Sequence, residues 1–292
     1  MAALIDGKAI AAKVKAEVAE GAEALVREFG EEARPNMTLI EVGHDPVSQK
    51  LVGMKAKDCE AAGVIPTVIS LSAATSETKL LRLIDRLNRD DDVKAILCQL
   101  PLPEHISTKK VLAAIAPEKD VDGFSARIDC DDYDVAACTP AAVMRMLREN
   151  GVDVAGRHCV VVGRSNIVGK PMAIQLLLND ATVTVCHSRT EDVAAYTRMA
   201  DVLIVEVGRA GYITADMIKE GAVVIDVGMN YIDGRPTGDV DFAGASQKAS
   251  LITPVPGGVG PMTRAYLLVN ALKLAERRVG KETDAERKAD HE

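Results

Sequence analysis

The segment Arg157–Pro171, RHCVVVGRSNIVGKP, restricts the fold of this chain more than any other. Cys159, Val160, Val161 and Val162 form a short apolar run rich in β-branched residues, the pattern of a strand buried on both faces, and Gly163 ends it. Gly169 and Pro171 then open a helix whose apolar positions come from MAIQLLL, since proline is tolerated in a first helical turn. The unit is strand, tight glycine turn, helix. Backbone N–H groups at such a helix start have no intrahelical partner and carry partial positive charge, which suits a pyrophosphate. Gly163, Arg164, Ser165, Val168, Gly169 and Pro171 are therefore candidate cofactor-binding residues. The spacing departs from G-x-G-x-x-G because Ser165 stands at the second glycine position, and an ordinary βα turn explains this stretch alone equally well.

A second strand is expected over Thr182–His187. In an NAD site its end carries an acid for the ribose hydroxyls. Here the residues are His187, Ser188, Arg189 and Thr190. With Arg164 and Arg189 available, a 2′-phosphate is the better guest, so NADP is expected over NAD, although Glu191 and Asp192 follow closely.

At 292 residues the chain is long enough for one large or two ordinary domains. The formal net charge of −8, without a long basic run, argues against a nucleic-acid partner. Cys59, Cys98, Cys130, Cys138, Cys159 and Cys186 contain no C-x-x-C pair, and three of them fall in expected buried strands. That suits a reducing cytoplasm better than a disulfide framework or a zinc site, and no metal is expected. The start MAALIDGKAI lacks the apolar core of a signal peptide, and no apolar run approaches membrane-spanning length, so no membrane partner is expected.

Along the chain, strand and helix alternate. Residues 8–29 carry apolar positions at helical spacing, Met37–Val42 reads as a strand, and Gly43–Pro46 as a turn opening a helix from about Ser48 to Ala61. Val64–Leu71, Ala95–Leu100, Val202–Val207 and Ala222–Val227 read as strands. Ser76–Asn88, Ser107–Ile115 and Thr139–Glu149 read as helices, with a helical turn at Ala215–Lys219. The alternation predicts an α/β fold with mostly parallel sheets. Residues 125–137 show neither period and are placed in a surface loop. Pro254–Met262 is a rigid glycine- and proline-rich loop before a helix over 263–278, and 280–292 is a charged tail expected to fray.

Five blocks carry a resemblance: Gln99–Pro103 (QLPLP), Lys119–Phe124 (KDVDGF), Cys138–Pro140 (CTP), Val162–Pro171 (VGRSNIVGKP) and Thr253–Thr263 (TPVPGGVGPMT). In order and spacing the chain resembles the bifunctional methylenetetrahydrofolate dehydrogenase/methenyltetrahydrofolate cyclohydrolase family over nearly its whole length. The resemblance implies an N-terminal α/β catalytic domain over 1–139, completed by helix 263–278, and a Rossmann-like NADP-binding domain over 140–262, with a cleft between them. It also implies a homodimer that oxidises 5,10-methylenetetrahydrofolate with NADP and hydrolyses the methenyl product to 10-formyltetrahydrofolate.

Carried over residue by residue, the family's catalytic lysine falls on Lys55. As an ammonium it orients substrate or water, and as an amine it takes a proton; from the local sequence alone a solvated helix lysine is the better reading. Gln99, at a strand end, suits a neutral hydrogen bond to Lys55. Asp122 corresponds to the folate-binding aspartate, a carboxylate able to accept from two adjacent pterin donors, while Asp120 is expected to be structural. Pro256, Gly257, Gly258, Gly260, Pro261 and Thr263 are expected at the substrate, because glycines let backbone approach a flat ligand to the ~3–3.5 Å that hydride transfer needs. Val207, Gly208 and Asn230 join the nucleotide set.

Two departures stand out. Leu51, one turn before Lys55 and expected to touch substrate, replaces a tyrosine that packs on the folate rings. Glu206 stands where the family has a small residue beside the nucleotide, and would repel cofactor phosphate or turn outward. Residues 125–137 are also shorter than the family's usual segment. These features keep two further readings open: a dehydrogenase with impaired cyclohydrolase, and a folate- or nucleotide-binding protein with little turnover.

Overall fold

The computed structural model describes residues 1–125 and 135–289. The surface loop expected over 125–137 therefore lies mostly outside the described residues, as does Cys130. In chain order the elements are β1 (Ala3–Leu4), α1 (Gly7–Phe29), β2 (Asn36–Val42), α2 (Pro46–Ala61), β3 (Ile65–Leu71), α3 (Glu77–Arg89), β4 (Ile96–Cys98), α4 (Thr108–Ala114) and α5 (Cys138–Glu149). They continue as β5 (His158–Val162), α6 (Gly169–Leu177), β6 (Thr182–Cys186), α7 (Val193–Thr197), β7 (Val202–Val205), β8 (Val223–Asp226), β9 (Asn230–Ile232), β10 (Arg235–Thr237), α8 (Phe242–Lys248), β11 (Leu251–Ile252) and α9 (Val259–Ala289). Strand and helix alternate as expected from β1 to α4 and from α5 to β7, whereas β7 to β10 follow one another without an α-helix between them.

Two compact units emerge. One comprises Lys13–Cys138 and Leu267–Glu292. Its sheet has the order β3-β2-β4, all parallel, with Leu39 opposite Leu97 and Glu41 opposite Ser70. Ile40, Ile96 and Cys98 pack with Leu80, Ile84 and Val111 into one core. Short caps start the helices at defined points: Asp45 accepts from the Ser48 N–H with Pro46 following, and Ser76 accepts from the Lys79 N–H. On the other side Leu25 and Ala33 pack with Ala275 and Val279 of α9. Gly21 lets α1 approach Leu272 more closely than a Cβ would permit.

The other unit comprises Met1–Ala12 and Thr139–Tyr266. Its six-stranded parallel sheet has the order β1-β11-β8-β7-β5-β6. Strand order reverses at β5, whose neighbours are β6 and β7, and in such sheets ligands bind outside the carboxyl ends of the strands at that reversal. Gly163 and Glu206 follow β5 and β7 directly.

The structure moves three boundaries. In their contacts the first twelve residues group with 139–266, where β1 adds a strand: Ala3 pairs with Leu251 and Leu4 with Ile252. Helix α9 starts at Val259 and runs to Ala289, through most of the tail expected to fray. Lys, Glu, Ala and Arg dominate that tail and are good helix formers, so low apolar content does not stop the helix. Strand β7 ends at Val205, one residue before the acid. Elements too short to show a period, β1, α7, the β9–β10 hairpin, α8 and β11, were not anticipated.

Candidate active site

In the first unit the three expected catalytic residues come together. Lys55, on α2, donates from Nζ to Gln99 Oε1 at 2.9 Å. Gln99 follows β4, is buried, and is fixed by its backbone N–H to the Ile40 carbonyl at 2.8 Å and its amide to the Leu100 carbonyl at 2.5 Å. The strand end thus aims the amide oxygen at the helix lysine. Leu51 lies on the same helix, partly buried.

Asp122 lies within electrostatic reach of Lys55. Although it keeps some exposed surface, burial pushes its carboxyl up to about 6, while Lys55 favours the ionised form and Asp120 opposes it. Asp120 is 3% exposed and accepts from the N–H groups of Gly123 and Ser125 at 3.2 and 2.6 Å, a turn-holding arrangement. Lys119 is buried and donates to the carbonyls of Leu87 and Asp90. Gly123 has φ 73, and a Cβ there would sit 2.5 Å from the Ala136 carbonyl, so this position requires glycine.

Asn270 of α9 was missed in the sequence. Its Nδ2 donates to the carbonyls of Val121 at 2.8 Å and Ala136 at 2.9 Å, tying down both sides of the segment that carries Asp122. Only its place inside an otherwise apolar helix stretch hinted at this.

In the second unit the glycine turn is built as a close approach. Gly163 has φ 136, and a Cβ on it would meet the Glu206 carbonyl at 2.1 Å; one on Gly169 would meet the Gly163 carbonyl at 2.5 Å. Ser165 caps α6, its Oγ accepting from the N–H groups of Val168 and Gly169 at 3.0 and 3.3 Å. Pro171 sits in the first turn of α6. A turn without room for side chains at the start of a nine-residue helix fits a dinucleotide pyrophosphate.

At the end of β6, His187 is held by its backbone N–H to Thr190 Oγ1 at 3.0 Å, and Ser188 and Arg189 are exposed. The nearby acid Asp192 is engaged as the cap of α7, accepting from the Ala195 N–H at 3.1 Å. Arg164 and Arg189 are both exposed, which fits a 2′-phosphate.

Val207, Gly208 and Asn230 converge on one buried acid that the sequence reading did not single out. Asp239 is 0% exposed and accepts from the N–H groups of Val207, Gly208 and Arg209 at 2.6, 3.0 and 2.9 Å, and from Asn230 Nδ2 at 2.8 Å. The loop Pro254–Met262 also belongs to this unit. Gly257 has φ 113, Gly258 donates to the Pro254 carbonyl at 2.8 Å, and Gly7 packs so tightly on Gly258 that no Cβ fits. Gly260, by contrast, has space, with Met229 3.8 Å from a Cβ. Thr263 Oγ1 lies 3.1 Å from Thr139 Oγ1, so its hydroxyl joins the starts of α9 and α5. Pro256 follows a cis peptide bond, and Pro261 lies in the first turn of α9. Among the described residues no cluster of His, Cys, Asp and Glu suits a metal.

Residues 5–122 match the family model described as tetrahydrofolate dehydrogenase/cyclohydrolase, catalytic domain, and residues 137–279 match the one described as its NAD(P)-binding domain. The chain is 53% identical to the bifunctional protein FolD of Moorella thermoacetica over 281 residues, covering 94% of this chain and 99% of the relative. It is 52% identical to that of Paracidovorax citrulli over 284 residues, covering 96% and 99%. Among solved structures, the bifunctional enzyme FolD of Campylobacter jejuni matches with a TM-score of 0.91 at 45% identity, covering 95% of this chain and 100% of that one. The Trypanosoma brucei N5,N10-methylenetetrahydrofolate dehydrogenase-cyclohydrolase, solved with NADP cofactor and inhibitor, matches with a TM-score of 0.88 at 38% identity, covering 95% and 98%.

Proposed function

The chain belongs to the tetrahydrofolate dehydrogenase/cyclohydrolase family, and from that premise we propose how its residues share the family's two reactions. It is a bifunctional enzyme of one-carbon metabolism: an NADP-dependent 5,10-methylenetetrahydrofolate dehydrogenase and a 5,10-methenyltetrahydrofolate cyclohydrolase yielding 10-formyltetrahydrofolate.

NADP, when bound, supplies the acceptor for the hydride that leaves the methylene carbon. The Gly163–Pro171 turn would hold the pyrophosphate, Arg164 and the His187–Arg189 stretch the 2′-phosphate, and Val207, Gly208 and Asn230 the remainder of the nucleotide. Asp122, when ionised, accepts from adjacent pterin donors and fixes the ring. The Pro256–Thr263 loop, poor in side chains, would line the substrate.

In the hydrolytic step, water adds to the electron-poor methenyl carbon, a proton leaves, and one carbon–nitrogen bond opens. Lys55 is the residue for this step, orienting the water as an ammonium or taking its proton as an amine. Gln99 is a positioning residue that aims Lys55. The observation that carries this reading is the 2.9 Å bond from Lys55 to a buried, doubly anchored Gln99, with Asp122 in electrostatic contact with the same ammonium. A buried glutamine so constrained fixes lysine direction without neutralising it.

The test follows absorbance of the purified protein with methylenetetrahydrofolate and NADP or NAD, then with methenyltetrahydrofolate alone. Wild type is expected to reduce NADP in preference to NAD and to hydrolyse the methenyl compound. Lys55→Met is expected to lose hydrolysis by about 10³-fold while folate binding stays within a few-fold; loss of binding instead makes Lys55 an anchor.

We propose a homodimer in a reducing cytoplasm; the five buried free cysteines among the described residues support the reducing compartment. No helix among the described residues is long and apolar enough to cross a membrane. Sedimentation at micromolar concentration tests the dimer.

A further inference from the structure

Glu206 turns inward. It leaves β7 with its backbone N–H on the Val162 carbonyl at 2.8 Å, and its Oε2 lies 3.0 Å from where a Gly163 Cβ would be. Ser165 lies beside the carboxylate and favours its ionised form. Ser165 Oγ in turn accepts from the Val168 and Gly169 N–H groups that open α6. The carboxylate therefore lies over the glycine turn, beside the hydroxyl that accepts from the positive end of the helix.

That is the place where the cofactor's pyrophosphate is expected. We propose that Glu206 is an internal competitor for the pyrophosphate: its carboxylate lies over the Gly163 turn that leads into α6, so dinucleotide binding requires that carboxylate to swing away or take up a proton. The proposal rests on the NADP reading above.

The surroundings favour such a switch. Burial raises the Glu206 carboxyl above the ordinary glutamate range, Ser165 pulls it down, and Asp239, facing it from the segment after β10, adds like-charge repulsion. Asp239 is already committed to four donors, three backbone N–H groups on the loop after β7 and the Asn230 amide at the start of β9, and stays in place. On the turn itself Arg164 is exposed, and at the end of β6 Cys186 is a buried thiol pushed up by desolvation. An incoming phosphate would add further negative charge to this setting, and Coulomb repulsion at a partly buried site is large enough to alter affinity about tenfold.

The experiment is NADPH binding to the full chain by calorimetry and by nicotinamide fluorescence, for wild type, Glu206→Gln and Glu206→Ala, from pH 5.5 to 8.5. Folding is checked by thermal melting without nucleotide. Both variants are expected to bind about tenfold more tightly than wild type at pH 8.5, the difference shrinking toward pH 5.5 as wild type takes up a proton on binding. Equal affinity at all pH values, or weaker binding by the variants, overturns the role of Glu206; weaker binding would make it a cofactor contact. No NADPH binding by any of the three proteins overturns the nucleotide reading itself, and the proposal with it.

Discussion

Asp122 and Asp226 have carboxyls pushed up by burial to the same value, about 6, yet their surroundings differ. Asp226 is 3% exposed and saturated by backbone: it accepts from the N–H groups of Gly228 at 2.9 Å, Asp239 at 3.0 Å and Val240 at 2.9 Å. Gly238 packs on it with no space for a Cβ. At Asp122 the influence favouring ionisation is the charge of Lys55, a side chain on another element that belongs to the proposed reaction centre. A perturbed carboxyl therefore does not by itself mark chemistry. Fixed backbone donors make an acid structural, whereas a carboxyl that keeps some exposed surface and answers to the charge of a lysine can still meet a ligand.

The same substitution should separate the two acids most sharply. Asp226→Asn places an amide N–H against a backbone N–H, a buried clash with no escape, and should cost about 3 kcal/mol, lowering Tm by about 6–12 °C in a melting experiment. Should Tm fall by less than a degree or two, the backbone donors are not what holds the acid. Asp122→Asn should leave Tm unchanged or raised at pH 7 while weakening folate binding about 30-fold, or about 2 kcal/mol, because an amide cannot accept from two pterin donors at once. Tight folate binding by that variant would remove Asp122 from the site.

A smaller effect separates the regions by pH. The Asp122 carboxyl is raised from 3.8 to about 6 in the folded chain, so the native state holds the extra proton between these values. Its stabilising contribution is complete below about pH 4 and lost as pH rises through about 6. Relative to wild type, Asp122→Asn should gain up to ~2 kcal/mol over that window and then level off, as read by urea unfolding at pH 4.5, 5.5 and 7. Wild-type folate affinity should weaken below pH 6, where Asp122 becomes protonated, and a flat affinity profile contradicts this. The smallest effect is expected from Leu51→Tyr, about threefold on cyclohydrolysis with no change in melting, because the added ring and hydroxyl extend a helix face that already carries Lys55. If both activities stay the same, the leucine is a neutral departure.

The parallel α/β framework was legible because its signals are local. Val160, Val161 and Val162 announce a buried strand, Gly163 its end and Pro171 a helix start, and the same logic located β2 to β4 and their helices to within a few residues. The pairing of Lys55 with Gln99 spans 44 positions and was readable only through the family resemblance, which supplies the long-range information that local pattern lacks. Two-residue strands such as β1 were invisible, because two residues cannot display a period.

What the sequence determined by itself is the set of elements, the reducing-type cysteines, the family blocks and the residue types that chemistry requires. Tertiary structure alone decided that residues 1–12 group in their contacts with 139–266, that Asn270 ties the Asp122 segment from 149 positions away from Val121, that Asp226 and Asp239 bury themselves on backbone donors, and that Glu206 lies over Gly163. The reason is physical. A strand or helix start is specified by neighbours a few residues apart, whereas the fate of a lone polar side chain depends on which distant backbone groups need a partner once water is excluded.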